Sequence, residues 1–86
     1  MINVTIKHRE LRDLFVTIVD VNVATGQCRL NGDRFNKEQS KDIGIQEDGD
    51  GLGHIRWQVN VASEPLTMQS DEATALKDGA TVEVHA

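Results

Sequence analysis

Alternation of apolar and polar residues constrains the fold of this chain more than any other feature. The alternation is clearest over residues 2–7 and 54–61. A period of two places every second side chain on one face, as in a half-buried β-strand. Nine valines and six isoleucines stand against six leucines, and β-branched side chains suit a pleated sheet. The pattern therefore predicts a chain built from strands.

Turn-forming residues divide the chain into short segments and predict its architecture. Residues 24–26, 31–32 and 77–79 contain glycine beside Thr, Asn or Asp, and Asn31-Gly32 suits a two-residue hairpin turn. Seven to eight short strands at this spacing predict an all-β fold of one domain over residues 1–86. We expect a small antiparallel β-sandwich, immunoglobulin-like or a related Greek key. Residues 70–76 are ambiguous, because Ser70 could cap a short helical turn or the segment could continue as a strand.

Charge and cysteine content narrow the classes of function and the location. The formal net charge is −5 and the basic residues are dispersed, which argues against nucleic acid or an anionic membrane surface as the partner. A single cysteine, Cys28, excludes an intrachain disulfide and a multi-cysteine zinc site. Neither a signal peptide nor an apolar membrane span is visible. We therefore expect a soluble cytoplasmic protein, although a chain exported without a signal would have the same features.

Two apolar runs on either side of an acidic segment predict a hairpin. Placing Gln46 opposite His54 pairs Ile45 with Ile55, and Ile43 with Trp57. All four apolar side chains then share one face, which gives Trp57 a place in the core. Polar residues would occupy the other face, where Gly44 leaves a hollow beside Arg56. That face suits a peptide backbone or a sugar, and also an ordinary solvated sheet surface. Its candidate binding residues are Asp42, Gly44, Gln46, His54, Arg56 and Gln58.

The segment Glu47–Gly53 places three carboxylates among three glycines. Asp48, Asp50 and Gly53 match the spacing of an EF-hand loop, but Leu52 and Val59 stand where that loop needs oxygen ligands. A looser calcium site could use Glu47, Asp48 and Asp50. The alternative is a solvated hairpin tip whose glycines and acids favour a turn.

The sequence lacks the motifs of common catalytic sites, with no Gly-x-Ser-x-Gly elbow, no phosphate-binding glycine loop and no His-Glu-x-x-His. We therefore expect a small non-enzymatic module without a cofactor, engaging a protein partner through an edge strand or the polar hairpin face. The alternative is a calcium-dependent carbohydrate-binding domain that uses the loop over 47–53. A third hypothesis is a small hydrolase that uses His54 or His85 with an acidic residue. Exposed edge strands would also allow homo-oligomers.

Overall fold

The computed structural model describes the backbone of residues 1–86 and every side chain except that of Pro65. The chain forms seven strands, and no helix occurs among the residues that the structure describes. Within this described part of the chain, no helical segment could therefore span a membrane. The strands are β1 (Ile2–Lys7), β2 (Leu14–Asp20), β3 (Gln27–Phe35), β4 (Ser40–Ile45), β5 (Gly53–Val61), β6 (Glu64–Leu76) and β7 (Ala80–Glu83).

The strands form two sheets, which confirms the prediction of a small β-sandwich. One sheet has the order β4-β1-β7 and the other has the order β3-β2-β5-β6. All strand pairs are antiparallel except β1 with β7, which is parallel. In immunoglobulin constant domains the first, second, fourth and fifth strands share a sheet, so the strands are distributed differently here.

A mostly aliphatic core lies between the two sheets. On β1 and β5 the buried side chains alternate with more exposed ones, as the sequence pattern predicts. Trp57 is 4% exposed and faces inward, in agreement with the predicted core role. Removing such side chains from water is the main favourable contribution to folding. The largest fully buried apolar side chains are Phe35, Ile6, Leu14, Ile18, Ile45 and Ile55.

The predicted pairing of residues 43–46 with 54–58 is wrong. Strand β4 pairs with β1, so that Ile45 lies opposite Ile2, whereas β5 lies between β2 and β6 in the other sheet. Ile45 and Ile55 are both fully buried, but they belong to facing sheets and are not cross-strand neighbours. Alternation identifies the buried face of a strand, and it does not identify the strand that pairs with it.

Two local predictions are also corrected. Residues 70–76 form no helical turn, because they belong to β6. Asn31-Gly32 lies within β3 and forms no hairpin turn. The β2–β3 register shifts between Val16 and Ile18, opposite Gly32, whose φ is 68°. This is the geometry of a β-bulge, in which glycine readily takes the positive φ.

Candidate functional site

Strand β6 is an edge of the four-stranded sheet. The backbone groups with which it bonds to β5 follow from the hydrogen bonds that β5 makes to β2 on its other side. The N–H of Val21 donates to the carbonyl of His54 at 3.0 Å, and the N–H of Ala62 donates to that of Asp13 at 2.9 Å. Both bonds continue the register of β2 with β5. Bonded and non-bonded positions alternate along antiparallel strands. The even-numbered residues of β5 therefore direct their backbone groups to β2, and the odd-numbered residues direct theirs to β6.

The same alternation separates the residues of β6 into two sets. Gln69, Asp71 and Ala73 lie opposite odd-numbered residues of β5, so their backbone groups complete the ladder. The N–H and C=O groups of Met68, Ser70 and Glu72 then point to the other side, where the described chain places no strand. Such a row of backbone donors and acceptors is a template for another strand.

The side chains of β6 are exposed over most of its length. Leu66 is 97% exposed and Met68 is 54% exposed, so two of the four exposed large apolar side chains lie on this strand. Gln69 and Asp71 alternate with the outer-face residues and so point to the inner side, yet both are exposed. Strand β6 therefore extends beyond the core, and it offers solvent both of its faces as well as its edge.

A shallow depression of about 370 Å³ lies on the outer face of the same sheet, beside β6. Two rows of side chains cross it from β2 through β5 to β6. The Glu72 carboxylate lies 2.7 Å from Nε2 of His54 and 4.0 Å from Nε of Arg56. The surface beside the edge is thus polar, with His54 and Arg56 next to an acid. Of the two rows of side chains that cross the depression, the first consists of Thr17, Gln58 and Ser70, and the second consists of Val19, Arg56 and Glu72.

The predicted binding residues separate into two groups. His54, Arg56 and Gln58 lie on the outer face of the four-stranded sheet, and the last two line the depression. Asp42 and Gly44 lie on β4 in the other sheet, and Gln46 follows that strand. The predicted polar hairpin face therefore does not exist. The neighbours of Arg56 on the outer face come instead from β2 and β6, two strands that no local sequence pattern links to β5.

The two residues on β4 have other neighbours. Asp42 lies opposite Thr5 of β1 and accepts a hydrogen bond from its hydroxyl at 2.6 Å. Gly44 leaves no hollow beside Arg56, because β4 and β5 belong to different sheets; its neighbour is the Met1 side chain, which an added Cβ would contact at 3.5 Å. Both residues belong to the surface of the three-stranded sheet.

The acidic segment links β4 to β5 and so connects the two sheets. Oδ1 of Asp48 accepts hydrogen bonds from the N–H groups of Asp50 at 2.8 Å and Leu52 at 3.0 Å. The N–H of Asp48 donates to the Leu52 carbonyl at 2.8 Å, which closes the turn. Asp48 therefore stabilises the loop from inside, in the manner of an Asx-turn.

The three candidate calcium ligands do not converge. The Glu47 carboxylate lies 3.1 Å from the N-terminal ammonium of Met1 and accepts a hydrogen bond from the Gln46 amide at 2.9 Å. No group of three His, Cys, Asp or Glu side chains in the described part of the chain is placed to hold a metal ion. Calcium binding through Glu47, Asp48 and Asp50 would require these existing contacts to open.

A buried carboxylate beneath this loop was missed by the sequence analysis. Asp20 is fully buried. Its Oδ2 accepts from Arg29 at 3.1 and 3.2 Å and from the N–H of Gln46 at 2.7 Å, whereas Oδ1 has no hydrogen-bond partner among the described residues. The Asn22 amide donates to the carbonyls of Gln46 and Leu52 at 3.0 and 3.1 Å. The inward position of Asp20 in the alternating run of β2 was the available signal.

The histidines form no catalytic arrangement among the described side chains. His54 contacts Glu72, but no hydroxyl or thiol donates to its ring. His85 packs edge-on against Trp57, with ring centroids 5.3 Å apart. His8 is buried, and it accepts a hydrogen bond from the Glu10 N–H at Nδ1. The hydrolase hypothesis, with His54 or His85 as the base, gains no support from these contacts.

The β6 edge and the adjacent depression are together the best-defined candidate site. They combine free backbone groups, exposed apolar side chains and a polar outer face. Comparison of the chain with known protein families, curated proteins and solved structures finds no match.

Proposed function

We propose that this protein is a small interaction module that binds an extended segment of a protein partner along the free edge of β6. The observation that carries the proposal is the direction of the backbone groups of Met68 and Ser70, which point away from β5. Strand addition uses such groups for affinity and side-chain contacts on alternate positions for specificity.

The exposed side chains of β6 support the same function. Leu66 and Met68 present apolar surface next to free backbone donors, and apolar contact supplements the main-chain hydrogen bonds of an added strand. The depression on the outer face lies beside Ser70 and Glu72. Side chains of an added strand would reach its rim at every second position.

A proline substitution at the edge tests this proposal. The N–H of Ser70 points to the free edge, so Ser70→Pro removes a donor that the partner would use and places the proline ring in its path. A library of displayed linear peptides is selected on the wild-type protein and then tested against Ser70→Pro. We expect the selected peptides to bind the wild type and to lose binding to the variant.

The Arg56→Ala variant is the matched control for the outer face. Peptides that lie along the edge should bind it with a modest change in affinity, because Arg56 is on the next strand. Selected peptides that bind Ser70→Pro as well as the wild type would contradict the proposal. Failure of selection to enrich any peptide would contradict it as well.

A further inference from the structure

We infer that the partner of β6 is a basic extended segment, with two adjacent cationic residues and an apolar residue on the same strand. This inference rests on the proposed function, since it specifies the chemistry of the segment that the edge would accept. Its basis is the charge and the arrangement of side chains along the edge.

Strand β6 carries acidic residues and no basic residue. Glu64, Asp71 and Glu72 lie on it, in a chain whose formal net charge is −5. Asp71 makes no ion pair within the described part of the chain. Cross-strand pairs of opposite charge stabilise a sheet, and like charges opposite each other destabilise it. An added strand that places cations opposite these acids is therefore favoured over a neutral or acidic one.

The position of the two acids sets the spacing of the cations. Asp71 and Glu72 are adjacent, so their side chains point to opposite faces of the sheet. Glu72 already lies near Arg56, at 4.0 Å, whereas Asp71 has no such neighbour among the described residues. A strand that offers a cation to Asp71 and a second one to Glu72 needs two adjacent basic residues, one for each face. Met68 shares the outer face with Glu72 and lies four residues away. The partner therefore places an apolar residue four positions from one of its cations.

Asp71 also blocks part of the edge in the free protein. Its Oδ1 accepts a hydrogen bond at 2.8 Å from the N–H of Glu72, which is one of the groups that the alternation directs to the free side. A cation opposite Asp71 would attract this carboxylate and release the N–H for the incoming strand. Asp71 would thus favour basic segments twice, through charge and through access to a backbone donor.

Synthetic peptides provide the direct test. A nine-residue Thr- and Val-rich peptide with the core Lys-Arg-Thr-Thr-Leu is compared with one in which Gln-Asn replaces Lys-Arg, and with one in which Glu-Asp does. The reversed cores are included because either strand direction satisfies the spacing. Binding is measured by fluorescence anisotropy at low and high salt. We expect the basic peptide to bind at least fivefold more tightly than the neutral one, with the difference reduced at high salt.

Two variants identify the source of the preference. Asp71→Asn keeps an acceptor for the Glu72 N–H and removes the charge, so we expect the preference for the basic peptide to fall by roughly three- to fivefold. Asp42→Asn removes an acid from the other sheet and should leave the preference unchanged. An unchanged preference in Asp71→Asn would overturn the inference.

The outcomes separate the two proposals. If basic, neutral and acidic peptides bind equally and all lose binding to Ser70→Pro, the edge binds strands and the charge inference is wrong. If the basic peptide binds Ser70→Pro as tightly as the wild type, its attraction does not depend on the edge and both proposals fail. Self-association of the protein that Ser70→Pro abolishes, without peptide binding, would make a second copy the occupant and would also overturn the basic partner.

Discussion

Asp20 joins three segments of the chain through one buried carboxylate. It lies on β2, it accepts from Arg29 on β3, and it accepts from the N–H of Gln46 directly after β4. The last bond connects the two sheets at the base of the acidic loop. A buried charge is costly unless it is paired, so the stability of this region depends on Asp20 and Arg29 together.

Removal of the Asp20 carboxylate should strongly destabilise the fold. In Asp20→Ala the Arg29 guanidinium, whose side chain is 19% exposed, and the Gln46 N–H both lose their acceptor. We expect the free energy of unfolding to fall by about 3 kcal/mol. This value is at the lower end of the range for a broken buried ion pair, because the Arg29 side chain is partly in contact with solvent. Urea unfolding measures this change. The exposed pair of Arg34 with Asp13 is the control, and Arg34→Ala should destabilise the protein much less than Asp20→Ala does. Equal losses in the two variants would refute the role of burial.

Gly53 marks the closest approach between the acidic loop and the core. A Cβ at this position would overlap Ile45 and would lie 3.0 Å from Cδ1 of Ile2. We expect Gly53→Ala to destabilise the protein by about 1–3 kcal/mol, because overpacking forces the neighbours to move. Gly49 lies in the same loop with open space around it, so Gly49→Ala should change stability by less than about 0.5 kcal/mol. Thermal unfolding of both variants tests the difference, and similar melting temperatures would contradict it.

Asp13 gives the fold a dependence on acidic pH. Hydrogen bonding from Arg34, at 2.7 Å, is the largest cause that holds the pKa of Asp13 below its ordinary value, and the N–H of Lys37 also contributes. A carboxylate with a lowered folded pKa stabilises the fold above its unfolded pKa, and the contribution disappears as the pH falls through the folded pKa. We expect the urea midpoint to fall as the pH is lowered below about 4, the ordinary pKa of an aspartate side chain. Asp13→Asn should show a smaller fall over this range, and an equal fall would exclude Asp13 as a source.

Single residues were predictable where they follow the alternation and were missed where they depend on distant strands. The core position of Trp57 follows from its place between Ile55 and Val59. Asp20 has an inward position in the same kind of pattern, but its partners Arg29 and Gln46 lie on other segments. No spacing in the sequence links Asp20 to Gln46, because the contact depends on how the two sheets face each other.

At the scale of elements, β6 differs from the other strands in its exposure. Most of its side chains are exposed, and the strand deviates from regular pairing near both ends. Ala75 has a φ of 54°, within the register shift opposite residues 53–55. The irregular ends limit the regular free edge to residues 68–73. Bulges and charged residues are common protections of edge strands, so the accessible part of β6 is short.

The two sides of β6 should respond differently to proline. Ser70→Pro removes an N–H from the free edge, and we expect the protein to remain folded with a small loss of stability. Gln69→Pro removes an N–H that donates to β5, so it should cost at least about 1 kcal/mol more through the lost ladder bond. Urea unfolding of the two variants measures the difference. A greater loss for Ser70→Pro than for Gln69→Pro would reverse the assignment of the two sides.

The ambiguity of residues 70–76 in the sequence has a physical cause. Ser70 followed by Asp71 and Glu72 resembles the first turn of a helix, in which a side-chain oxygen caps a backbone N–H. Asp71 does cap a backbone N–H, that of Glu72, but within an extended strand. Pairing with β5 determines the conformation, and local propensity does not reveal that pairing.

The whole molecule was predictable as a class of fold and not as a topology. Alternation indicated the strands and their buried faces, which is sufficient to predict a β-sandwich. It could not assign β4 and β5 to different sheets, because Ile45 and Ile55 contribute to the same core from either side. The candidate site was predictable only as an edge strand in general. Its location on β6 depends on the order β3-β2-β5-β6.

Amide hydrogen exchange by NMR tests the free edge of β6 most directly. In the free protein we expect the amides of Met68 and Ser70 to exchange rapidly, while those of Gln69, Asp71 and Ala73 are protected by β5. Addition of the basic peptide should slow exchange at Met68 and Ser70. Protection of these two amides in the free monomer, or unchanged exchange with the peptide bound, would contradict an open edge that binds its partner by strand addition.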